Sequence, residues 1–130
     1  MKRYLIDTDI IIDHLRGVER ARDFLKQIKS EEAEILYSVI TKAELYAGIR
    51  SKEEENMAAL LGSMKEVGID GEIAAAAGRY KNKYHASHGL LLPDALIAAS
   101  AKHVGAVLVT LNKKHYPMRD ITIKTPYSNE

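Results

Sequence analysis

The sequence predicts an α/β protein of three layers, with a short central parallel sheet and helices on both of its faces. Short apolar runs typical of buried strands alternate with longer segments of helical periodicity. Strands separated by helices need crossover connections, which favour a parallel sheet covered on both faces. A chain of 130 residues without a Pro- or Gly-rich linker is expected to form a single domain, residues 1–130.

The first half of the chain is predicted to contain three strands and four helices. Each predicted strand is a short apolar run, and each predicted helix carries apolar residues three or four positions apart. In chain order the elements are a strand at 4–6, helices at 9–15 and 18–28, a strand at 35–38, helices at 39–50 and 57–64, and a short strand at 67–69.

The second half is predicted to contain two helices and two strands. Asp70 is a favourable N-cap for a long helix that ends near residue 87. Pro93 stands in the first turn of a second helix, which Gly105 ends. Strands follow at 106–109 and 121–123, and the tail at 126–130 is expected to fray.

The composition excludes several classes of protein. With 46% apolar and 28% charged residues, the chain has the balance of a globular protein. No apolar run approaches the roughly 18 residues of a transmembrane helix, and Asp7 interrupts the N-terminal apolar run far short of a signal peptide. Because the chain has no cysteine, disulfides, thiolate nucleophiles and cysteine-bound zinc are excluded. We therefore expect a cytoplasmic protein without membrane contact.

The charges are unevenly distributed along the chain. Residues 1–72 hold 15 acidic and 11 basic side chains, whereas residues 73–130 hold 3 acidic and 8 basic ones. This asymmetry is compatible with a polyanionic ligand and equally with chance clustering of solvated charge. The candidate phosphate contacts, which are also typical solubility charges, are Arg79, Lys81, Lys83, Lys113 and Lys114.

Three acidic residues break the pattern around them. Asp7 directly follows the first predicted strand, and the carboxyl ends of parallel strands line the ligand crevice of such folds. Glu44 shares a helical stripe with Ile40 and Ala47, where a buried charge needs a partner or a metal. Asp94 lies in the first turn of its helix. The alternatives are an N-cap for Asp7, a buried ion pair for Glu44 and an ordinary N-terminal acid for Asp94.

Three inward carboxylates without an obvious basic partner favour a metal site. Oxygen ligands suit a hard divalent cation, Mg²⁺ or Mn²⁺, which commonly assists phosphodiester chemistry. Clustered carboxylates repel one another, so at least one should have a raised pKa in the metal-free protein. Together with the basic second half, these acids predict a metal-dependent nuclease.

Four segments in order resemble the motifs of PIN-domain ribonucleases, and specifically of the VapC-like toxins of prokaryotic toxin–antitoxin pairs. They cover nearly the whole chain and are YLIDTD at 4–9, TKAELYAG at 41–48, LPDALIAASA at 92–101 and VTLN at 109–112. The resemblance implies the three-layer PIN-like fold and a metal-dependent endoribonuclease that uses Mg²⁺ or Mn²⁺. It also implies an RNA substrate, a small antitoxin as partner and a homodimer.

By this resemblance, Asp7, Glu44 and Asp94 are the catalytic and metal-binding residues. Many relatives carry a fourth acid where this chain has His115, which leaves open whether a second metal binds and whether Asn112 or His115 takes part. His115 could ligate a metal, bind phosphate or cap a short helix, and we favour the structural role. Three further residues are auxiliary candidates. Thr8 and Thr110 could each hold a site carboxylate or a water molecule through the hydroxyl, and Asp9 could support the metal ligands from behind or act only as a cap.

Two other functions stay open at this point. Asp7-Thr8-Asp9 also fits the D-x-D motif of a haloacid-dehalogenase-type phosphatase, which needs a further lysine, a further acid pair and a longer chain. A PIN scaffold that has lost activity could act as a protein- or RNA-binding module. A covalent aspartyl-phosphate would identify the first, and metal titration with an RNA cleavage assay separates the second from the enzyme.

Overall fold

The computed structural model describes residues 1–128 and confirms the predicted α/β class. Within these residues five strands form one parallel sheet in the order β3-β2-β1-β4-β5. The strands are β1 (Arg3–Ile6), β2 (Glu34–Ser38), β3 (Lys65–Val67), β4 (Val107–Val109) and β5 (Ile123–Lys124). The helices are α1 (Thr8–Leu15), α2 (Glu19–Ser30), α3 (Val39–Gly48), α4 (Glu54–Gly62), α5 (Gly71–His88) and α6 (Leu92–Val104), with short 3-10 helices at Ser51–Glu53 and Lys113–His115.

The sheet separates two apolar cores. Because side chains alternate along a strand, Leu5 of β1 faces one core, whereas Tyr4 and Ile6 face the other. The first core packs the sheet against α5 and α6, and the second packs it against α1, α2 and α4. Helices on both faces of a central sheet are the predicted three-layer arrangement.

The two short strands at the edges of the sheet are displaced from their predicted positions. The predicted strand at 67–69 lies instead at Lys65–Val67, and only its last residue is buried. An edge strand can carry exposed charged side chains such as Lys65. The apolar residues therefore show where this segment touches the core, and not where its backbone pairs with the neighbouring strand. Ile69 packs against the first core after the strand has ended. The last strand likewise lies at Ile123–Lys124 rather than 121–123.

The carboxyl ends of the central strands meet at one edge of the sheet. Ile6 of β1 is in register with Val109 of β4, and the Asp7 amide continues the ladder by donating to the Val109 carbonyl at 2.9 Å. On the other side of β1, Ser38 ends β2 and caps α3. The topology therefore delivers Asp7, the residue after Val109 and the start of α3 to the same place.

The beginning of the C-terminal tail is held against α1. Tyr127 donates its hydroxyl hydrogen to Asp13 Oδ2 at 2.9 Å, and the Arg20 guanidinium lies 5.2 Å from the centre of the Tyr127 ring. Asn129 and Glu130, which belong to the tail predicted to fray, lie outside the described residues. No helix within residues 1–128 is both long and apolar enough to cross a membrane.

Candidate active site

Asp7 stands at the centre of a hydrogen-bonded cluster at the carboxyl edge of the sheet. It is 7% exposed and is the N-cap of α1, where Oδ1 accepts from the Thr8 amide at 2.8 Å. Oδ2 accepts from the hydroxyls of Thr110 and Tyr116, each at 2.8 Å. The capping role and the position in the crevice therefore occur together, because the cap uses only one of the two carboxylate oxygens.

Asp94 is brought to Asp7 by the start of α6. It is partly buried in the first turn of that helix, and its Oδ1 lies 3.5 Å from the Tyr116 hydroxyl. Burial and the negative charge of Asp7 raise the pKa of Asp94; Glu44 adds to this effect and the nearby His115 opposes it. Repulsion among carboxylates is thus present in the cluster.

Glu44 is exposed, whereas the sequence predicts it on a buried stripe. The stripe is misleading because the small residues beside it on α3, Ala43 and Ala47, are exposed as well. Glu44 is tied to the cluster through Thr8, whose hydroxyl donates to Glu44 Oε1 at 2.7 Å and lies 3.1 Å from the Thr41 hydroxyl. A carboxylate at the open side of the cluster can meet both solvent and a ligand.

Asp9 is a fourth carboxylate in the same cluster. Its Oδ2 accepts from the Leu111 amide at 3.0 Å and from Asn112 Nδ2 at 2.9 Å, and it lies 3.3 Å from the Thr110 hydroxyl. Burial, followed by the negative charge of Asp7, raises the pKa of Asp9 to about 6. The structure thus joins Asp9, Thr110 and Asn112, three of the auxiliary candidates, in one hydrogen-bonded group.

The basic candidates fall into two groups. Lys113 and Lys114 are exposed on the 3-10 helix that follows the strand-end motif, and His115 is the exposed last residue of that helix. The other candidates lie on α5, where the Lys81 ammonium donates to the Leu90 carbonyl at 2.6 Å and so supports the approach to α6. Within residues 1–128, no hydrogen bond or ion pair connects the α5 group with the four carboxylates.

Tyr116 is the site residue that sequence reasoning missed. It follows His115 in a short irregular segment and is 4% exposed, so it resembles an ordinary core tyrosine. Burial and the charges of Asp7 and Asp94 raise the pKa of the Tyr116 hydroxyl well above its usual range, so it remains a donor. The available signal was its place a few residues after Thr110, which the topology brings beside Asp7.

The donor set suits a hard divalent cation in its chemistry. All four carboxylates offer oxygen, and none of them forms an ion pair with Lys or Arg in the described part of the chain. The ligands are not fully convergent, since no three His, Asp or Glu side chains among residues 1–128 form a closed metal-binding group. The carboxylates are linked instead through the hydroxyls of Thr8, Thr110 and Tyr116.

The fold and the cluster agree with comparisons to known proteins. The PIN domain model matches residues 4–121, and the chain therefore belongs to the PIN domain family. The solved "Toxin-antitoxin complex from Klebsiella pneumoniae" contains a chain with a TM-score of 0.78 and 25% identity, covering 96% of this chain and 98% of that one.

Curated relatives narrow the family further. Ribonuclease VapC10 of Mycobacterium tuberculosis H37Rv is 38% identical over 125 residues, which make up 95% of this chain and 92% of that protein. Ribonuclease VapC19 of the same strain is 38% identical over 115 residues, 88% of this chain and 92% of that protein. The chain is thus a VapC-type member of the PIN domain family.

Proposed function

We propose that the chain is a metal-dependent endoribonuclease and the toxin of a toxin–antitoxin pair, acting through a single PIN domain in the cytoplasm. The observation that carries this proposal is the cluster of Asp7, Asp9 and Asp94 at the carboxyl edge of the sheet, with Glu44 at its open side. Relatives named ribonucleases match almost the whole chain. The PIN domain match also leaves the D-x-D phosphatase without support.

Asp7, Asp94 and Glu44 would hold the cation, either Mg²⁺ or Mn²⁺. The bound ion would supply positive charge to a phosphodiester oxygen and lower the pKa of a water molecule. Thr8 orients the Glu44 carboxylate through its 2.7 Å hydrogen bond, and the Asp9 group holds the loop that follows β4. In-line attack by water would leave a 5′-phosphate and a 3′-hydroxyl, without use of the RNA 2′-hydroxyl.

The basic residues beside the cluster are proposed to bind the RNA backbone. Lys113 and Lys114 are exposed and follow directly on the loop that carries Thr110 and Asn112. Arg79 and Lys83 are exposed on α5 and can extend the contact. The Lys81 ammonium already donates to the Leu90 carbonyl, so we expect it to contribute less to RNA binding than Arg79 and Lys83 do.

An antitoxin helix is proposed to dock in a groove on the second core. We define this docking groove by its apolar residues Leu25, Ile35, Leu60 and Met64 and its basic residues Arg22, Lys26 and Lys29. An amphipathic helix with acidic flanks complements both features. The Tyr80 face of α5 is less available to a partner, because Tyr80 packs on the first core and its hydroxyl donates to Asp120.

A homodimer is proposed through the exposed apolar residues of α3 and α6. Tyr46 is 45% exposed, and Leu91 and Leu92 at the start of α6 are 61% and 49% exposed. Because α3 and α6 are in contact, these side chains lie on neighbouring elements. Light scattering at micromolar concentration tests this proposal. We expect wild type to be a dimer and the Tyr46→Glu and Leu91→Glu variants to be monomers.

RNA cleavage and thermal melting with EDTA or Mn²⁺ test the proposed function. We expect cleavage only with the metal, and a melting temperature that rises with Mn²⁺ concentration because the cation binds the folded state alone. Mn²⁺-dependent melting without cleavage would support the inactive scaffold. A melt that Mn²⁺ does not shift, together with cleavage in EDTA, would contradict the metal-dependent mechanism.

A further inference from the structure

Tyr116 connects two of the proposed metal ligands. Its hydroxyl donates to Asp7 Oδ2 at 2.8 Å and lies 3.5 Å from Asp94 Oδ1. The ring is held by the first core, where only 4% of the residue is exposed. Packing therefore fixes the ring and delivers the hydroxyl to a defined point between the two carboxylates.

The hydrogen bonds of Asp7 leave one direction free. A carboxylate has about four lone-pair sites, two on each oxygen. Oδ2 accepts from Tyr116 and Thr110, so both of its sites are used. Among residues 1–128, Oδ1 accepts only from the Thr8 amide, so one site remains on that oxygen. Oδ1 is thus the Asp7 oxygen that keeps a lone-pair site for a cation.

We propose that Tyr116 is a positioning residue that fixes the Asp7 carboxylate so that Oδ1 is presented to a divalent cation. This inference rests on the proposed metal-dependent function. Tyr116 itself would not bind the cation but would orient Asp7, which does. Without the hydroxyl, the Asp7 carboxylate keeps Thr110 as its one donor at Oδ2, and its orientation is held less tightly. Loss of a hydrogen-bond partner behind a metal ligand typically weakens metal affinity 10- to 100-fold.

Tyr4 provides a matched control. It is 1% exposed on β1, and its hydroxyl donates to Glu31 Oε1 at 3.0 Å, in the second core and apart from the carboxylate cluster. Tyr4→Phe and Tyr116→Phe each remove one hydroxyl and one hydrogen bond to a carboxylate. Their effects on the metal-free melting temperature should therefore be similar, and only Tyr116→Phe should change metal binding.

The experiment is thermal melting and RNA cleavage of wild type, Tyr116→Phe and Tyr4→Phe across a series of Mn²⁺ concentrations. For Tyr116→Phe we expect the half-saturating Mn²⁺ concentration to rise at least about tenfold. Cleavage should fall at low Mn²⁺ and recover at high Mn²⁺, whereas Tyr4→Phe follows wild type.

The outcomes separate this inference from the proposed function. Equal half-saturation in all three proteins overturns the role of Tyr116 and leaves the metal-dependent nuclease intact. Wild type that neither melts higher nor cleaves RNA with Mn²⁺ overturns both. If Tyr116→Phe does not melt cooperatively, Thr110→Val and Thr110→Ser replace it, since Thr110 is the other donor to Oδ2. The proposal then requires that Thr110→Val binds Mn²⁺ more weakly than Thr110→Ser, and equal binding by the two variants overturns it.

Discussion

Two carboxylates in different regions of the molecule each accept a hydrogen bond from a tyrosine, but only one of them also has a lysine partner. At the β2–β3 edge, Glu66 accepts hydrogen bonds from Tyr37 at 3.1 Å and from the Lys42 ammonium at 2.9 Å. These two bonds, the lysine first, lower the pKa of Glu66. At the carboxyl edge, Asp7 accepts from the Tyr116 hydroxyl but has no lysine or arginine ion-pair partner among residues 1–128.

A third carboxylate follows the first pattern. Asp120 accepts from Tyr80 at 2.8 Å and from Lys102. Burial acts in the other direction, but the hydrogen bonds from Lys102 and Tyr80 lower the pKa of Asp120. Glu66 and Asp120 thus each combine a tyrosine hydroxyl with a lysine ammonium, whereas Asp7 has a tyrosine hydroxyl but no basic side chain in an ion pair among residues 1–128. We therefore expect the proposed cation to supply the balancing charge at the carboxyl edge.

The largest expected effect comes from neutralising the proposed metal ligands. Asp94→Asn, Asp7→Asn and Glu44→Gln should each reduce RNA cleavage by about 100-fold or more, because several kcal/mol of charge stabilisation are lost. Metal-free stability of Asp94→Asn and Glu44→Gln should stay the same or rise, since each change removes repulsion within the cluster. Asp7→Asn should melt lower, because both Asp7 oxygens accept hydrogen bonds and an amide offers only one acceptor oxygen. Thermal melting beside a cleavage assay measures both quantities.

The control for this series is Asp120→Asn, which removes a carboxylate that already has its lysine. That variant should melt at a lower temperature and cleave RNA normally. The comparison breaks if all three ligand variants melt below the metal-free wild type, as Asp120→Asn should, and Mn²⁺ still shifts their melting as it shifts that of wild type.

The second prediction sharpens the contrast on the RNA side. Lys113→Ala and Lys114→Ala should each weaken RNA binding and reduce the slope of log K against log salt by about 0.7, the value for one phosphate contact to a single strand. Lys52→Ala is the matched control, since Lys52 is also exposed on a short 3-10 helix. Filter binding between low and moderate salt gives the slopes, and equal slopes for all three variants would show that the charge asymmetry has no role in binding.

Much of the fold could be predicted because local chemistry agrees with it. Asp70 caps α5 by accepting from the Ile73 amide, and Gly105 ends α6 with a φ of 66°, a left-handed conformation that glycine adopts easily. β3 could not be placed because an edge strand with one buried residue gives no apolar alternation. Apolar periodicity in the sequence shows which side chains are buried. At a sheet edge, the buried residues are not the same as those whose backbone pairs with the next strand.

The acids of the candidate site could be listed from the sequence, but their arrangement could not. Asp7 and Asp94 follow from strand ends and helix starts, which the pattern of elements fixes. The exposure of Glu44 and its link through Thr8 depend on how α1 packs against α3, and single-sequence periodicity does not contain that packing. Tyr116 was missed for the same reason, because the sequence alone does not distinguish a core tyrosine from one whose hydroxyl binds a site carboxylate.

A smaller effect is expected from pH acting on Asp9. Its pKa in the folded protein is about 6, above the ordinary value of 3.8, so folding is favoured while Asp9 is protonated. That contribution is full below about pH 4 and is lost as pH rises through 6. The melting temperature of metal-free wild type should therefore fall relative to Asp9→Asn between pH 4 and 7, and a constant difference would contradict the raised pKa. The Mn²⁺-induced shift should grow over the same range, because cation binding needs ionised carboxylates.

The smallest effect is expected where the carboxylate already has its cation. Glu66 and Lys42 are both about half exposed, and exposed ion pairs contribute roughly 0–1 kcal/mol. Glu66→Gln should therefore lower the free energy of unfolding by less than about 1 kcal/mol. Because Glu66 faces Lys42 and Tyr37 rather than the carboxylate cluster, Mn²⁺ should stabilise Glu66→Gln as much as wild type. Urea unfolding with and without Mn²⁺ measures both terms. A Glu66→Gln variant that lost its response to Mn²⁺ would show that the two kinds of carboxylate are not separate, and the contrast between the two edges of the sheet would no longer hold.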